Sequence, residues 1–360
     1  MKKAILALEN GSIYKGSSIG VDGERTGWVS CYTGVVGYQE VLTVPANASR
    51  IVVMTYPLIG NYGIAKRFME SIKPWIGGMV IKENSRIISN WQAEECLSTF
   101  LKRERVLAVE GIDTRALMVE IREAGEQFGI ISTRDFNPVS LKRKIKTAGA
   151  NALDVVKKIS VKKINRISRG DLTVGIIDIG VTNSLLNQLE TLGCQVVLIP
   201  YNTAYNDILN LSLQGLIISD GPEMDKGIYR VVDTVKRLLG KIPILGVATG
   251  CQVLAMAMGG RVERMHLGHH GLNYPVSRSR SLKGKITSQN HSYVINEDSL
   301  KDKSVKVSWR NINDRTIEGI ESKKLRASGC QFYPSPSARG EVHSVLEEFV
   351  LTLQKNELKV

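Results

Sequence analysis

The chain has 360 residues, 43% of them hydrophobic and 23% charged, with a formal net charge of +13. That length predicts about two domains, the balance is that of a soluble globular protein, and no apolar run approaches the ~20 residues a membrane span needs. Five scattered cysteines without a CxxC pair support neither a disulfide framework nor a zinc knuckle, and predict reduced core thiols, no metal and no cofactor.

The N-terminal stretch MKKAILALENGSIYKG starts basic and then apolar, but Glu9 and Asn10 interrupt it and no small-residue cleavage site follows. It reads as strand, turn at Asn10-Gly11 and second strand, not as a secretory leader, which places the chain in the cytoplasm. Residues 1–135 hold short β-branched and aromatic runs such as RIVVMTYPLIG, RVLAVEGI and FGIIST, punctuated by Gly and Asn. Two helical stretches interrupt them: AEECLSTFLKRE, with Cys96, Phe100 and Leu101 on one face, and TRALMVEIREAG. A further helix is predicted at 139–147. Residues 1–150 thus read as a mixed α/β domain, and 151–170, polar, basic and weakly periodic, as a linker. The densest basic run, LKRKIK at 141–146, is accounted for by a solvated helix. With no recognisable nucleic-acid-binding motif, no nucleic-acid partner is expected, whereas an acidic protein surface would suit the charge.

From Asp171 the texture changes. LTVGIIDIG, CQVVLIPY, QGLIISDG and KIPILGV are apolar strands, alternating with the helical stretches VTNSLLNQLETLG and DKGIYRVVDTVKRLLG. Residues 171–360 therefore read as a doubly wound parallel α/β domain, whose ligands bind at the carboxyl ends of the strands. There the sequence GVATGCQ, Gly246 to Gln252, lies between a buried strand and the helix QVLAMAMGG. Strand, glycine-flanked turn and helix is the shape of a nucleophile elbow, which carries Ser or Cys at its middle position. Here that position is Ala248, a methyl group that can attack nothing.

Longer stretches carry a likeness over essentially the full chain: GYQEVLT at 37–43, TYPLIGNYG at 55–63, IDTRAL at 112–117, ISDGPE at 218–223, LGVATGCQVLAMAMGG at 245–260, LGHHGLNYPV at 267–276 and SQNHSYVI at 288–295. The chain resembles the small, glutamine-hydrolysing subunit of carbamoyl phosphate synthase. The resemblance implies an N-terminal small-subunit domain that docks a large synthetase subunit, followed by a class I glutamine amidotransferase-like domain. It also implies a role in supplying carbamoyl phosphate to arginine or pyrimidine synthesis.

Members of that family hydrolyse glutamine with a Cys at the elbow and a His and a Glu in a stretch like FQGHPE. The thiolate attacks the amide carbon, the imidazole moves protons, and the carboxylate orients the imidazole. In this chain the corresponding positions are Ala248, Tyr333 and Ser335 (CQFYPSPSARG). Losing the nucleophile alone costs on the order of 10⁶ in rate in triad enzymes. The family's oxyanion loop reads like SNGPGDP; here it is SDGPEMD, with Asp220 at the Asn and Glu223 at the second Gly. A carboxylate beside a site built for negative charge opposes catalysis. The Ser with which the family's N-terminal domain reaches the glutamine pocket corresponds to Ala46. Gly221, Thr249, Gln252, Asn290, Ser292 and Tyr293 remain as the shell of a pocket that could hold glutamine or another small molecule.

Other residues have plainer readings. Cys251, one turn into the helix, is expected to pack as a small hydrophobe, and the side chain of Thr249 to point away from the oxyanion site. His266, His269 and His270 read as amidotransferase scaffold, His291 as pocket-wall structure, Tyr333 as filler for the lost imidazole, and Asp113 with Arg115 as an ion pair or helix-start contact. Three functions are open at this point: a non-hydrolysing small subunit serving an ammonia-dependent large subunit, a free-standing pseudo-amidotransferase acting as scaffold or small-molecule sensor, or an unorthodox active glutaminase.

Overall fold

A computed structural model describes residues 2–149, 153–279, 281, 283–336 and 340–357. The chain divides into two units: Met1–Ala152 with His266–Gly271, and Leu153–Met265 with Leu272–Val360. No described helix is long and apolar enough to cross a membrane.

The first unit is built on strands β1 (Lys3–Leu8), β2 (Ile13–Ser18), β3 (Glu24–Tyr32), β4 (Ile51–Met54), β5 (Leu58–Ile59), β6 (Gly78–Val80), β7 (Glu83–Asn84), β8 (Leu107–Glu110) and β9 (Phe128–Ser132). Its helices are α1 (Tyr38–Thr43), α2 (Leu97–Arg103), α3 (Thr114–Ala124) and α4 (Pro138–Gly149). Seven strands close into a barrel in the order β1-β2-β8-β6-β4-β3-β9, while β5 and β7 pair separately. Strand alternation explains the core. Ala4, Leu6, Leu8, Val29, Cys31, Ile51, Val53, Leu107, Val109 and Ile131 form one buried cluster, as every second residue of a closed barrel must. The opposite parity, Val52, Met54, Met79 and Ala108, meets α1 and α2, and Ile5, Ala7 and Ile130 meet Leu141 and Ile145 of α4. Asp113 is a helix-start residue: it caps α3 by accepting the Arg115 and Ala116 N–H groups at 3.1 and 3.0 Å.

The second unit contains α5 (Val156–Ile159), β10 (Asn165–Arg166), β11 (Leu172–Asp178), α6 (Asn183–Thr191), β12 (Cys194–Pro200), α7 (Tyr205–Leu209), β13 (Gly215–Ile218), α8 (Lys226–Leu238), β14 (Ile244–Val247), α9 (Thr249–Ala257), β15 (Arg261–Arg278), β16 (Gly284–Asn296), β17 (Lys306–Asn311), β18 (Ile317–Ser322), β19 (Ala327–Cys330) and α10 (Ser344–Glu357). Its sheet runs β10-β12-β11-β13-β14-β19-β18-β17-β15-β16. The strands β12, β11, β13, β14 and β19 are parallel, and antiparallel pairs extend the sheet beyond β19. Apolar residues of α7, α8 and α9 pack with one set of strand side chains, and those of α6 and α10 with the alternate set. That is a doubly wound sheet.

One expectation is corrected here. The segment read as linker carries structure from 153 on: Val156 is fully buried, β10 pairs with β12, and Asp225 Oδ2 accepts the Val155 N–H at 2.5 Å. Residues 150–152 lie outside the described residues. Residues 162–167 are exposed throughout, which accounts for their polar, basic texture, while the backbone is anchored at 155–156 by Asp225 and at 165–166 by β12. Residues 266–271, part of β15, group with the first unit. Buried His270 Nε2 lies 2.7 Å from Glu126 Oε1, and His266 Nε2 lies 3.2 Å from the carbonyls of Arg122 and Glu123.

Candidate functional site: the elbow after β14

Strand β14 passes into α9 through one residue. Ala248 sits at φ 50°, ψ −114°, a conformation that costs an L-residue about 1–3 kcal/mol. Packing holds it there. A Cβ on Gly250 would lie 2.1 Å from the Ile218 carbonyl oxygen, and one on Gly246 would lie 2.5 Å from the Gly250 carbonyl oxygen. The two glycines let α9 press against β13 and β14, and the connecting residue takes the strain. The Ala248 N–H is fixed by the Cys330 carbonyl on β19 at 2.8 Å. The elbow geometry is retained with no atom to use it.

Around the elbow the polar groups satisfy one another. Asp220, at the end of β13, is buried. Its Oδ1 accepts the Gly221 N–H at 2.8 Å and the Thr249 N–H at 3.3 Å. The Thr249 N–H opens α9 immediately after the elbow, where a developing oxyanion would be held; in this chain a carboxylate is already there. Burial pushes the Asp220 carboxyl up to about 7; its two backbone hydrogen bonds pull the other way, and nearby Glu223 adds to the rise. The Thr249 hydroxyl donates to the Gly221 carbonyl at 2.6 Å.

Glu223 takes three more donors. Its Oε1 accepts from Gln252 Nε2 at 2.7 Å and from the Tyr293 N–H at 3.1 Å, and its Oε2 accepts the Ser292 N–H at 2.8 Å. These come from α9 and from two successive residues of β16. Gln252 Nε2 also donates to the Tyr293 carbonyl at 3.1 Å. The structure thus brings Gly221, Glu223, Thr249, Gln252, Ser292 and Tyr293 together as one network. Asn290 is half-buried on the same strand, β16. Ala46 is buried in the first unit, in the 3-10 turn Pro45–Asn47.

The positions where a base and its orienter would stand do other things. The Tyr333 hydroxyl bonds to the Thr182 hydroxyl, and lies 3.1 Å from Ser184 Oγ. It secures the start of α6, which goes beyond filling the volume of an imidazole. Ser335 is exposed. His343, ten residues beyond Tyr333, accepts the Val345 N–H on Nδ1 at 3.3 Å, and burial pushes its pKa down to about 4, so it is neutral at pH 7. Cys251 is fully buried, with burial raising its thiol well above the usual range, and its Sγ lies where a Cβ on Gly329 would come within 2.8 Å. It packs between α9 and β19 and presents no thiolate.

Sequence reasoning placed Asp220 and Glu223 beside the site as misplaced charges but missed that they occupy its donors. Two acidic residues within four positions of a loop that precedes the elbow by 25 residues were the available signal. Only the fold gives them their partners.

Residues 6–131 of the chain match the family described as carbamoyl-phosphate synthase small chain, CPSase domain, and residues 175–353 match glutamine amidotransferase class-I. The carbamoyl phosphate synthase small chain of Syntrophotalea carbinolica is 37% identical, over 98% of this chain and 98% of its own. That of Aquifex aeolicus is 36% identical over 98% and 99%. The pyrimidine-specific small chain of Halalkalibacterium halodurans is 35% identical over 99% and 98%.

Proposed function

The chain belongs to the family of carbamoyl phosphate synthase small chains, and we propose that it is a member that does not hydrolyse glutamine and instead supports a large synthetase subunit fed by free ammonia. The observation that carries this reading is the elbow itself: a methyl group at 248, with the donors around it taken by Asp220 and Glu223. No imidazole stands at 333 to generate a thiolate, and no carboxylate stands at 335 to orient one. The reading places the protein in the cytoplasm, with no metal or cofactor of its own.

Docking is assigned to the first unit. Val35, Val36, Tyr56, Ile87 and Trp91 there are exposed, Trp91 at 91%. Their loops brace one another: the Gly37 N–H donates to the Tyr62 hydroxyl at 2.9 Å, Ser89 N–H to the Asn61 carbonyl at 2.8 Å, and Asn90 Nδ2 to the Tyr62 carbonyl at 3.1 Å. Exposed aromatic and aliphatic side chains on braced loops suit a protein interface. These loops lead into GYQEVLT, which forms α1, and include much of TYPLIGNYG, motifs without catalytic duty. The charge of +13 would speed association with an acidic partner surface, increasingly so as salt falls.

The test is a co-expressed pair of this chain and the large subunit encoded beside it. Carbamoyl phosphate should form from ammonium, and glutamine should yield neither product nor free glutamate. Glutamate release that survives Cys251→Ala would sink the reading; failure of the two chains to associate at low salt would favour the free-standing pseudo-amidotransferase. A small-molecule sensor is the less supported alternative, because the donors such a pocket needs are already engaged.

A further inference from the structure

The end of β14 far from the elbow carries a cluster of cations. Ala248 follows the last residue of β14, whereas Ile244, the first, donates its N–H to the Arg326 carbonyl at 2.9 Å. Arg326 closes the turn 323–326 between β18 and β19, beside Lys323 and Lys324. The Gly240 N–H, just past α8, donates to the Leu325 carbonyl at 2.9 Å, and Arg326 Nη1 donates to the Lys241 carbonyl at 3.3 Å. Leu325 packs against the core. The turn is thereby pinned to the end of α8, whose last turn carries Lys236 and Arg237. Arg237 and Lys241 both lie over the Tyr205 ring, 4.2 and 4.5 Å from its centroid. All six cations are exposed. Among the described residues none of them forms an ion pair; Asp207, Asp233, Asp302 and Glu321, the acids on these and the adjoining segments, pair with none of them.

The macrodipole of α8 favours cations at its C-terminus, which accounts for Lys236 and Arg237. It does not account for three more on a β-turn. Arg326 stands at φ 51°, where glycine or asparagine is the ordinary choice. An arginine held there, among like charges, carries backbone strain that a glycine would avoid. The pinned turn and the helix end fix the spacing of these charges. Guanidinium groups meet carboxylates in two parallel hydrogen bonds, and ammonium groups meet them as point charges. The ring inside the cluster is covered by its own two cations, so it offers no face for the base stacking that single-stranded nucleic acid uses. We propose that Lys236, Arg237, Lys241, Lys323, Lys324 and Arg326 form a docking face for an acidic protein segment rich in Asp and Glu. The face belongs to the second unit and lies at the opposite end of β14 from the elbow, so its occupant does not depend on the missing nucleophile.

The experiment measures binding of the full chain to a labelled decaglutamate peptide by fluorescence anisotropy, at about 0.1 M salt, where the Debye length is about 10 Å. Wild type should bind, and should bind at least about tenfold more weakly at about 0.5 M salt. Lys323→Glu with Lys324→Glu should weaken binding at least about tenfold at the lower salt. Lys142→Glu with Lys146→Glu makes the same change of charge at exposed positions of α4, and should weaken it no more than about twofold. All four lysines are exposed, so both double variants should melt close to wild type. Arg326→Gly, in which glycine takes the turn conformation without strain, should melt no lower than wild type and still bind at least about threefold more weakly. Equal losses in the two double variants would show that net charge alone attracts the peptide, and would overturn the proposal. A wild type that ignores the peptide, or full binding by Arg326→Gly, also overturns it. So does tighter binding of decathymidylate that depends on Lys323 and Lys324, which would assign the face to nucleic acid.

Discussion

Replacing Asp220 by Asn should make the protein's stability less dependent on pH, in a stated direction. The carboxyl stands at about 7 in the folded protein against 3.8 in an ordinary environment, chiefly because it is buried. A raised folded pKa means that the folded state holds a proton the unfolded chain has already lost. Stability is therefore fully present below 3.8 and is lost as pH rises through about 7. The difference between those values, at 1.36 kcal/mol for each pKa unit, gives a total of about 4 kcal/mol between pH 4 and pH 8. The two hydrogen bonds Asp220 accepts, from the Gly221 and Thr249 N–H groups, can be accepted by the Asn carbonyl oxygen. Asp220→Asn should then match wild type near pH 4 and exceed it at pH 8 by roughly 2–4 kcal/mol. Denaturant unfolding of both proteins at pH 4, 6 and 8 measures this, because contributions from other groups cancel in the difference. A wild-type-minus-variant difference that stays constant from pH 4 to pH 8 would refute the reasoning, as would a variant less stable at pH 8 than at pH 4 relative to wild type.

Other expectations follow from the same geometry. Ala248→Cys alone should release no glutamate from glutamine above background: a thiol without a base keeps a pKa near 8.5. Activity should need at least Tyr333→His and Glu223→Gly in addition, and robust turnover by the single variant would contradict this. Ala248→Gly should stabilise the protein by about 1 kcal/mol, because glycine adopts the elbow conformation without strain; a lower denaturation midpoint would show that the strain is not there. Gly250→Ala should cost 3 kcal/mol or more, roughly, or prevent folding, since its methyl would meet the Ile218 carbonyl at 2.1 Å. An unchanged midpoint would mean that α9 can slide on β13.

The alternation of apolar strands and amphipathic helices after Asp171, the elbow with its glycines, and the alanine within it were all legible in the sequence, because each is a local pattern: period, turn chemistry and side-chain identity at one position. The cap at Asp113 was legible for the same reason. Barrel closure in the first unit was not. Runs such as RIVVMTYPLIG announce strands, but which strands pair depends on contacts far apart in sequence, such as β1 with β9. The segment after 152 shows a related limit. Its exposed basic side chains hide a backbone held by Asp225 and by the edge of β12, and a composition reading sees only the side chains. The decisive case is the loop 219–225. Sequence reveals two carboxylates near a disabled elbow. Only the fold sets Asp220 against the first N–H of α9 and Glu223 against β16, 69 residues away in the chain. Hydrogen-bond partners depend on which segments the fold packs together, and the packing that brings the loop after β13, α9 and β16 onto one another is written in no single stretch of residues.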